Sequence, residues 1–122
     1  MTGAERRQRQ RVTVNIGTVY HDQIEVDGTD ALMSDLSLGG CCIRTNRPSP
    51  GGSEIDMQFR LFAGAPLFSA RARVCWIREP KADAAPGDIT GAMGVEFTQI
   101  DEDALLRLKR FIAEKAETEL FV

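Results

Sequence analysis

The strongest constraint on the fold is a strict alternation of apolar and polar side chains across residues 54–61, EIDMQFRL. Ile55, Met57, Phe59 and Leu61 form the apolar set. Successive side chains of a β-strand point to opposite faces, so a period of two predicts a strand with one buried face. An α-helix would scatter the same apolar set around its surface, and this segment therefore favours a β fold.

Similar strand patterns recur along the chain between turn signals. They lie in VTVNIGTV, in the runs on either side of Asp27-Gly28, in CCIRT, in LFSARARVCWI and in GAMGVEF. Asp-Gly between two such runs indicates a tight hairpin. RPSPGGSE and residues 79–90 are rich in Pro, Gly, Ala or Asp and are predicted loops. About six short strands with frequent turns are typical of a small β-barrel.

The C-terminal region has a different periodicity, which indicates a helix over residues 101–117. Leu105, Leu108 and Ile112 recur at helical spacing, and Leu106 and Phe111 widen the apolar stripe. Asp101 or Asp103 can cap its first turn. We therefore predict a mostly β fold, a six-stranded antiparallel barrel of the Greek-key type over residues 12–100, closed by this amphipathic helix. At 122 residues it is a single domain.

Positive charge is concentrated at the N-terminus. Residues 1–11 contain four arginines and one glutamate and therefore carry a charge of +3. The net charge of the chain is −3, so residues 12–122 carry −6. We predict a flexible arginine-rich arm over residues 1–11, because self-repulsion and few apolar groups favour disorder. A basic arm on an acidic body does not suit general nucleic-acid binding, which uses a broad positive face. It suits a compact anionic ligand.

Catalytic and metal sites are not indicated by this sequence, and we predict that the protein is not an enzyme. His21 is the only histidine, and Cys41, Cys42 and Cys75 have no metal-binding spacing. SLGGCC leads into a predicted strand, so it is not a phosphate-binding loop before a helix. No apolar stretch is long enough to insert into a membrane or serve as a secretory signal, and a cytoplasmic location is expected.

Two short motifs carry groups suited to a guanine nucleotide. Arg7 and Arg11 are four positions apart, and DLSLGG follows at residues 35–40. Guanidinium groups bind phosphates and the O6 and N7 atoms of guanine, while Asp35 and Ser37 can accept hydrogen bonds from guanine N–H groups. Each motif also has an ordinary interpretation, since DLSLGG is a good turn and an arginine tail can simply be solvated.

Together the motifs resemble those of the PilZ domain, a bacterial receptor module for cyclic di-GMP. The family pattern R-x-x-x-R is matched by Arg7 to Arg11, and D/N-x-S-x-x-G is matched by Asp35 to Gly40. MGVEFTQIDEDALLRLKRFI is similar to the final strand and helix of the family. The resemblance implies a six-stranded barrel whose arm clamps over cyclic di-GMP. It implies these ligand-binding residues: Arg6, Arg7, Arg11, Asp35, Ser37 and Gly40.

The same resemblance bears on stoichiometry, and three further residues are our own additions to the site. The residue before the first motif arginine is Arg6, a cation that favours a stacked pair of cyclic di-GMP molecules. Gly39, Arg44 and Trp76 are additional candidate ligand contacts. Trp76 shares strand parity with Ala72 and Val74, so packing in the core is the alternative for it. Arg44 is alternatively an ordinary exposed strand residue.

We therefore expect a bacterial second-messenger receptor, an adaptor that changes its surface when ligand orders the arm and then signals to an unidentified effector protein. The expected output is control of motility, adhesion or exopolysaccharide export. Two alternatives remain: a ligand-independent PilZ-like interaction module, and an OB-like barrel that binds single-stranded nucleic acid, for which stacking aromatics are lacking. A monomer or weak homodimer is expected.

Overall fold

The computed structural model describes residues 10–22 and 27–120, which form six strands and one helix. This confirms the predicted six-stranded antiparallel barrel with a C-terminal helix. The elements are β1 (Val12–Asp22), β2 (Thr29–Leu36), β3 (Gly40–Arg44), β4 (Glu54–Phe59), β5 (Phe68–Arg78), β6 (Ala92–Ile100) and α1 (Glu102–Leu120).

The sheet closes on itself in the order β1-β2-β3-β6-β5-β4. Every pair of neighbours is antiparallel. The connection from β3 to β4 joins strands that are not adjacent, as in Greek-key topologies, whereas the others join neighbours. The pairing of β3 with β6 brings the DLSLGG segment beside the last strand, and this contact positions the candidate site.

The barrel interior is filled by the apolar face that the alternation predicted. On β4, Ile55, Met57 and Phe59 are all buried, as are Ala72 and Val74 on β5. The rings of Phe59 and Phe68 stack with centroids 4.5 Å apart. Burying this face is the main favourable term in folding such a barrel.

Helix α1 begins after Asp101, whose carbonyl accepts a hydrogen bond from the Leu105 amide at 2.9 Å. Ala104, Leu108 and Ile112 are the helix residues buried in the barrel core. Leu106, predicted to widen the apolar stripe, is instead 62% exposed. One residue advances 100° around a helix, so Leu106 lies 200° from Leu108 and faces away from the barrel.

The first hairpin forms, but Asp27-Gly28 is not its two-residue turn. β1 pairs with β2 up to Tyr20 and Thr29, and the connection runs from residue 23 to residue 28. Among the described residues, positive φ occurs only at Gly52, Gly64 and Gly87, so Gly28 lacks the backbone conformation that a type I′ turn requires. A longer connection removes the need for that turn.

Candidate functional site

The turn between β2 and β3 is held by the Ser37 hydroxyl. This hydroxyl accepts hydrogen bonds from the Gly39 and Gly40 amides, each at 3.2 Å, and its O–H group donates to the Gly40 carbonyl at 3.2 Å. Ser37 is only 4% exposed, and its amide also donates to the Gly40 carbonyl at 2.8 Å. A buried hydroxyl with these partners fixes the loop conformation. A direct contact of Ser37 with guanine stays a prediction.

Gly40 is required by the approach of β6. A Cβ added at residue 40 would lie 2.0 Å from the Val95 carbonyl oxygen. Gly40 pairs with Glu96 in the sheet, and the Gly39 carbonyl accepts the Phe97 amide at 2.8 Å. Glycine at position 40 therefore serves the packing of two strands, a reason that the motif alone did not reveal. Gly39 is exposed beside it.

Arg11 and Asp35 meet at the edge of this turn. The Arg11 Nη1 atom donates to the Asp35 Oδ1 atom at 2.6 Å, across 24 residues of sequence. The contact follows from strand register, because Val12 pairs with Leu36 and Thr13 with Asp35. The two predicted motifs thus adjoin at this residue pair. Arg6 and Arg7, the other predicted arm contacts, lie outside the described residues.

Trp76 is turned to the outside of the barrel by a β-bulge. Val74 pairs with Val95 but Trp76 pairs with Gly94, so one extra residue, Cys75, lies between them on β5. The bulge reverses the parity of the strand. Trp76 is consequently 46% exposed, and the alternative of core packing is wrong. A Cβ at Gly94 would lie 1.9 Å from the indole Nε1, so the missing side chain makes room for the ring.

These groups line one open cavity of about 580 Å³. Of the predicted site residues, it brings together Arg11, Asp35, Ser37, Gly39, Gly40 and Trp76. A cavity of this size, with a few polar groups and an exposed aromatic ring, is suited to a small ligand. Sequence reasoning missed the remaining lining residues, which are Cys41, Cys42, Cys75, Gly94, Val95 and Glu96.

Gly94 is the missed residue that the sequence could have revealed. It interrupts the strand pattern GAMGVEF, and glycine inside a strand often marks a close approach by another group. Glu96 gave no such signal. Its carboxylate forms an ion pair with Arg73, and this contact raises the pKa of the Arg73 guanidinium.

Arg44 does not line the cavity. It lies on β3 beyond Cys42, and its Nη2 atom donates to the Ile89 carbonyl at 3.0 Å. Cys42 and Arg44 are two residues apart and share a strand face, so the guanidinium lies one step farther along β3 than the cavity lining. Arg44 therefore lies beside the cavity rather than in its lining, and its contact with ligand stays a prediction.

The cysteines and the histidine show no catalytic arrangement within the described part of the chain. Cys41, Cys42 and Cys75 are free thiols, and burial, with a smaller effect of Asp35, raises the pKa of Cys41 well above its usual range. His21 lies within β1, with Nδ1 3.4 Å from the Asp22 carbonyl. Residues 10–22 and 27–120 contain no cluster of three or more groups able to hold a metal ion.

The sequence profile of the PilZ domain matches residues 5–114. The chain belongs to the PilZ domain family. PilZ domains bind cyclic di-GMP as a family and are generally non-catalytic binding modules. No curated protein matches the chain at a significant level.

Solved PilZ structures show the same fold at low sequence identity. The Bacillus subtilis inhibitor of motility, MotI/DgrA, superposes with a TM-score of 0.73 at 16% identity, over 92% of this chain and 52% of that one. The PilZ domain of Escherichia coli YcgR, solved with cyclic di-GMP, gives a TM-score of 0.66 at 16% identity, over 89% of this chain and 90% of that one. This PilZ chain thus spans about half the length of MotI/DgrA.

In the described part of this PilZ domain, no helix is both long and apolar enough to cross a membrane.

Proposed function

We propose that this PilZ domain is a non-catalytic receptor for cyclic di-GMP and that the ligand binds in the cavity between the β2–β3 turn and Trp76. The observation that carries the proposal is the position of Arg11, held 2.6 Å from Asp35 beside the same cavity as the exposed tryptophan. Cyclic di-GMP offers two phosphates and two guanines, which match a guanidinium, a carboxylate and an aromatic ring.

Arg11 and Asp35 have complementary roles in this proposal. Arg11, together with Arg7, donates to the phosphates and to guanine O6 or N7. Asp35 accepts hydrogen bonds from the guanine N–H groups, either at the acceptor sites that Arg11 leaves open on its two oxygens or by exchange of its bond with Arg11. Both side chains are accessible, at 55% and 35% exposure, so this exchange needs no opening of the barrel.

Ser37 and Gly40 act by shaping the turn. The Ser37 hydroxyl is already bonded to Gly39 and Gly40, so its loss would alter the turn before it altered any ligand contact. Gly39 is exposed at the tip, where backbone can approach a flat ligand. We propose that the turn presents Asp35 and the Gly39 backbone to the guanine.

Trp76 provides a stacking surface for a guanine base. Its ring lies against Gly94 on the outer face of the sheet and remains 46% exposed. Stacking of a base on an aromatic side chain contributes about 1–3 kcal/mol. A single tryptophan in the chain also makes its emission a direct report of events at this cavity.

Arg6 favours two stacked ligand molecules per chain. It adds a further cation to Arg7, Arg9 and Arg11, available to hold a second guanine or its phosphates. The output proposed is an adaptor in the cytoplasm, which signals to a protein partner when the ligand orders the arm. The similarity in fold to an inhibitor of motility makes motility control the first process to test.

Calorimetric titration with cyclic di-GMP tests this proposal. We expect saturable binding near two ligands per chain, weakened about 10–100-fold in Arg11→Ala, because a hydrogen bond to a charged group contributes about 1.5–3 kcal/mol. Arg71→Ala is the matched control, since Arg71 is also an exposed arginine paired with an aspartate, Asp56, but lies outside the cavity. It should bind like the wild type.

A stoichiometry near one would retain the receptor and exclude the stacked pair. Absence of binding by the folded wild-type protein would contradict the proposal and leave a ligand-independent interaction module. Equal loss of affinity in Arg71→Ala and Arg11→Ala would indicate a general charge effect rather than a site at this cavity.

A further inference from the structure

Two arginines next to the cavity, Arg44 and Arg78, differ from the ion-paired arginines of the barrel surface. Arg11, Arg71 and Arg73 each form an ion pair with a carboxylate. Arg44 and Arg78 have no carboxylate partner among the described residues, although Glu79, Asp83 and Asp88 lie in the connection that follows Arg78. Their positive charges are therefore available to an external anion.

The sheet register places Arg44 and Arg78 on the same outer face. Both pair with Ala92 of β6, Arg44 from β3 and Arg78 from β5. Directly opposed residues in antiparallel strands point to the same side, so the two arginines flank Ala92. In the next row, Cys42 and Trp76 both pair with Gly94. The arginine row thus adjoins the cavity row along three neighbouring strands.

Each guanidinium group is held by a hydrogen bond to the backbone of the connection between β5 and β6. Arg44 Nη2 donates to the Ile89 carbonyl at 3.0 Å, and Arg78 Nε donates to the Thr90 carbonyl at 3.1 Å. These carbonyls belong to consecutive residues. A guanidinium has five N–H donors, so each group retains donors for another acceptor.

The backbone that orients the arginines is itself tied to the segment that follows β3. The Asn46 side-chain oxygen accepts hydrogen bonds from the Thr90 and Gly91 amides at 2.9 and 3.1 Å, and its Nδ2 atom donates to the Asp88 carbonyl at 2.7 Å. The arginine pair is therefore preorganised, which lowers the entropic cost of binding an anion.

We propose that Arg44 and Arg78 form a second phosphate-binding site, which takes a terminal phosphate of a guanine nucleotide whose base stacks on Trp76. The two rows are two residues apart along each strand, roughly 7 Å. One nucleotide spans that separation between its base and its phosphate. Paired guanidinium forks match phosphate oxygens better than any single cation does. This site rests on the proposed nucleotide cavity and extends its ligand range to linear dinucleotides.

The test compares two linear dinucleotides that differ in one group, GpG and 5′-phosphorylated GpG. Binding is followed by Trp76 emission. We expect the 5′-phosphate to strengthen binding to the wild type about tenfold, as one charge-assisted contact does. Arg78→Ala should abolish this preference, and Arg78→Lys should restore part of it, because lysine keeps the charge without the planar fork. Arg71→Ala should keep the full preference.

Equal affinity of the wild type for the two dinucleotides, including failure to bind either, would overturn the inference. An unchanged preference in Arg78→Ala would overturn it as well, provided that thermal unfolding shows this variant to be folded. A parallel titration of the wild type with cyclic di-GMP separates this failure from failure of the receptor proposal. Binding of cyclic di-GMP without a phosphate preference would remove only the second site.

Discussion

The region where α1 packs on the barrel and the region around the cavity use their residues differently. At the helix, buried apolar side chains such as Leu108 and Ile112 meet the interior of the sheet. The cavity region contains an exposed tryptophan, a β-bulge, and two glycines, Gly40 and Gly94, at which a Cβ would collide with neighbouring atoms. The first arrangement is explained by burial of apolar area. The second gains little from burial, which is typical of a surface shaped for a ligand.

Truncation of the helix contact should give the largest loss of stability. Leu108→Ala removes a fully buried side chain, and we expect a decrease of about 3 kcal/mol in the free energy of unfolding, measured in urea. Leu106→Ala, at a residue 62% exposed, should change it by less than about 0.5 kcal/mol. Similar losses in the two variants would contradict the assigned helix orientation.

Gly40→Ala should have the next largest effect, and it acts on the cavity region of the comparison. The new Cβ would meet the Val95 carbonyl, so β3 and β6 must separate locally, at an expected cost of about 2 kcal/mol. Loss of cyclic di-GMP binding should accompany it. Gly51→Ala is the control, because a Cβ at residue 51 has no heavy atom within 4 Å and its φ is not positive. A stable Gly40→Ala variant would disprove the close approach of β6.

Cys41 lies beneath the cavity and predicts a dependence of stability on alkaline pH. Burial raises the pKa of its thiol above the ordinary value of 9.0. As the pH rises, this thiol therefore ionises in the unfolded chain before it ionises in the folded protein. The contribution of Cys41 to the free energy of unfolding is fully present below pH 9.0 and declines above pH 9.0 by about 1.4 kcal/mol per pH unit. Cys41→Ala should remove this contribution, whereas Cys75→Ala, at an exposed position, should keep it. Urea unfolding at pH 8 to 10 measures the difference; an identical slope in Cys41→Ala would refute it.

Gly94→Ala should give the smallest change in stability, with a clear optical signal. The added Cβ must displace the Trp76 ring, which can rotate outward, so we expect a loss of less than about 1 kcal/mol. Trp76 emission should shift to longer wavelength and quench more readily with acrylamide. Gly17→Ala, where a Cβ has no neighbour within 4 Å, should leave emission unchanged. Unaltered emission in Gly94→Ala would show that the ring does not rest on residue 94.

Regular periodicity made the barrel predictable from sequence. The alternation in β4 fixed which side chains are buried, and the helical spacing of Leu108 and Ile112 placed α1. Sequence patterns failed to predict side-chain orientation where one extra residue shifts the inward and outward alternation along a strand. The single extra residue Cys75 reversed the orientation of Trp76, because bulges depend on the partner strand rather than on local composition.

The candidate site was predictable as a pair of motifs but not as a geometry. Resemblance to PilZ domains identified Arg11 and Asp35, which meet through the pairing of β1 with β2. The resemblance did not show that the Ser37 hydroxyl holds the turn, or that residue 40 lacks a Cβ because the Val95 carbonyl packs against it. Both features depend on contacts that exist only in the folded protein. The reason for glycine at position 94 is visible only in the structure, where the Trp76 ring packs against it.

The most direct test of the central claim, that cyclic di-GMP binds at the cavity and not at the helix, is a titration followed by two-dimensional amide NMR. We predict shifts of the Gly39, Gly40 and Cys42 amides and of the single indole N–H of Trp76, with the α1 amides from Ala104 to Ile112 unchanged. Shifts confined to α1, or no shifts at saturating ligand, would contradict the account.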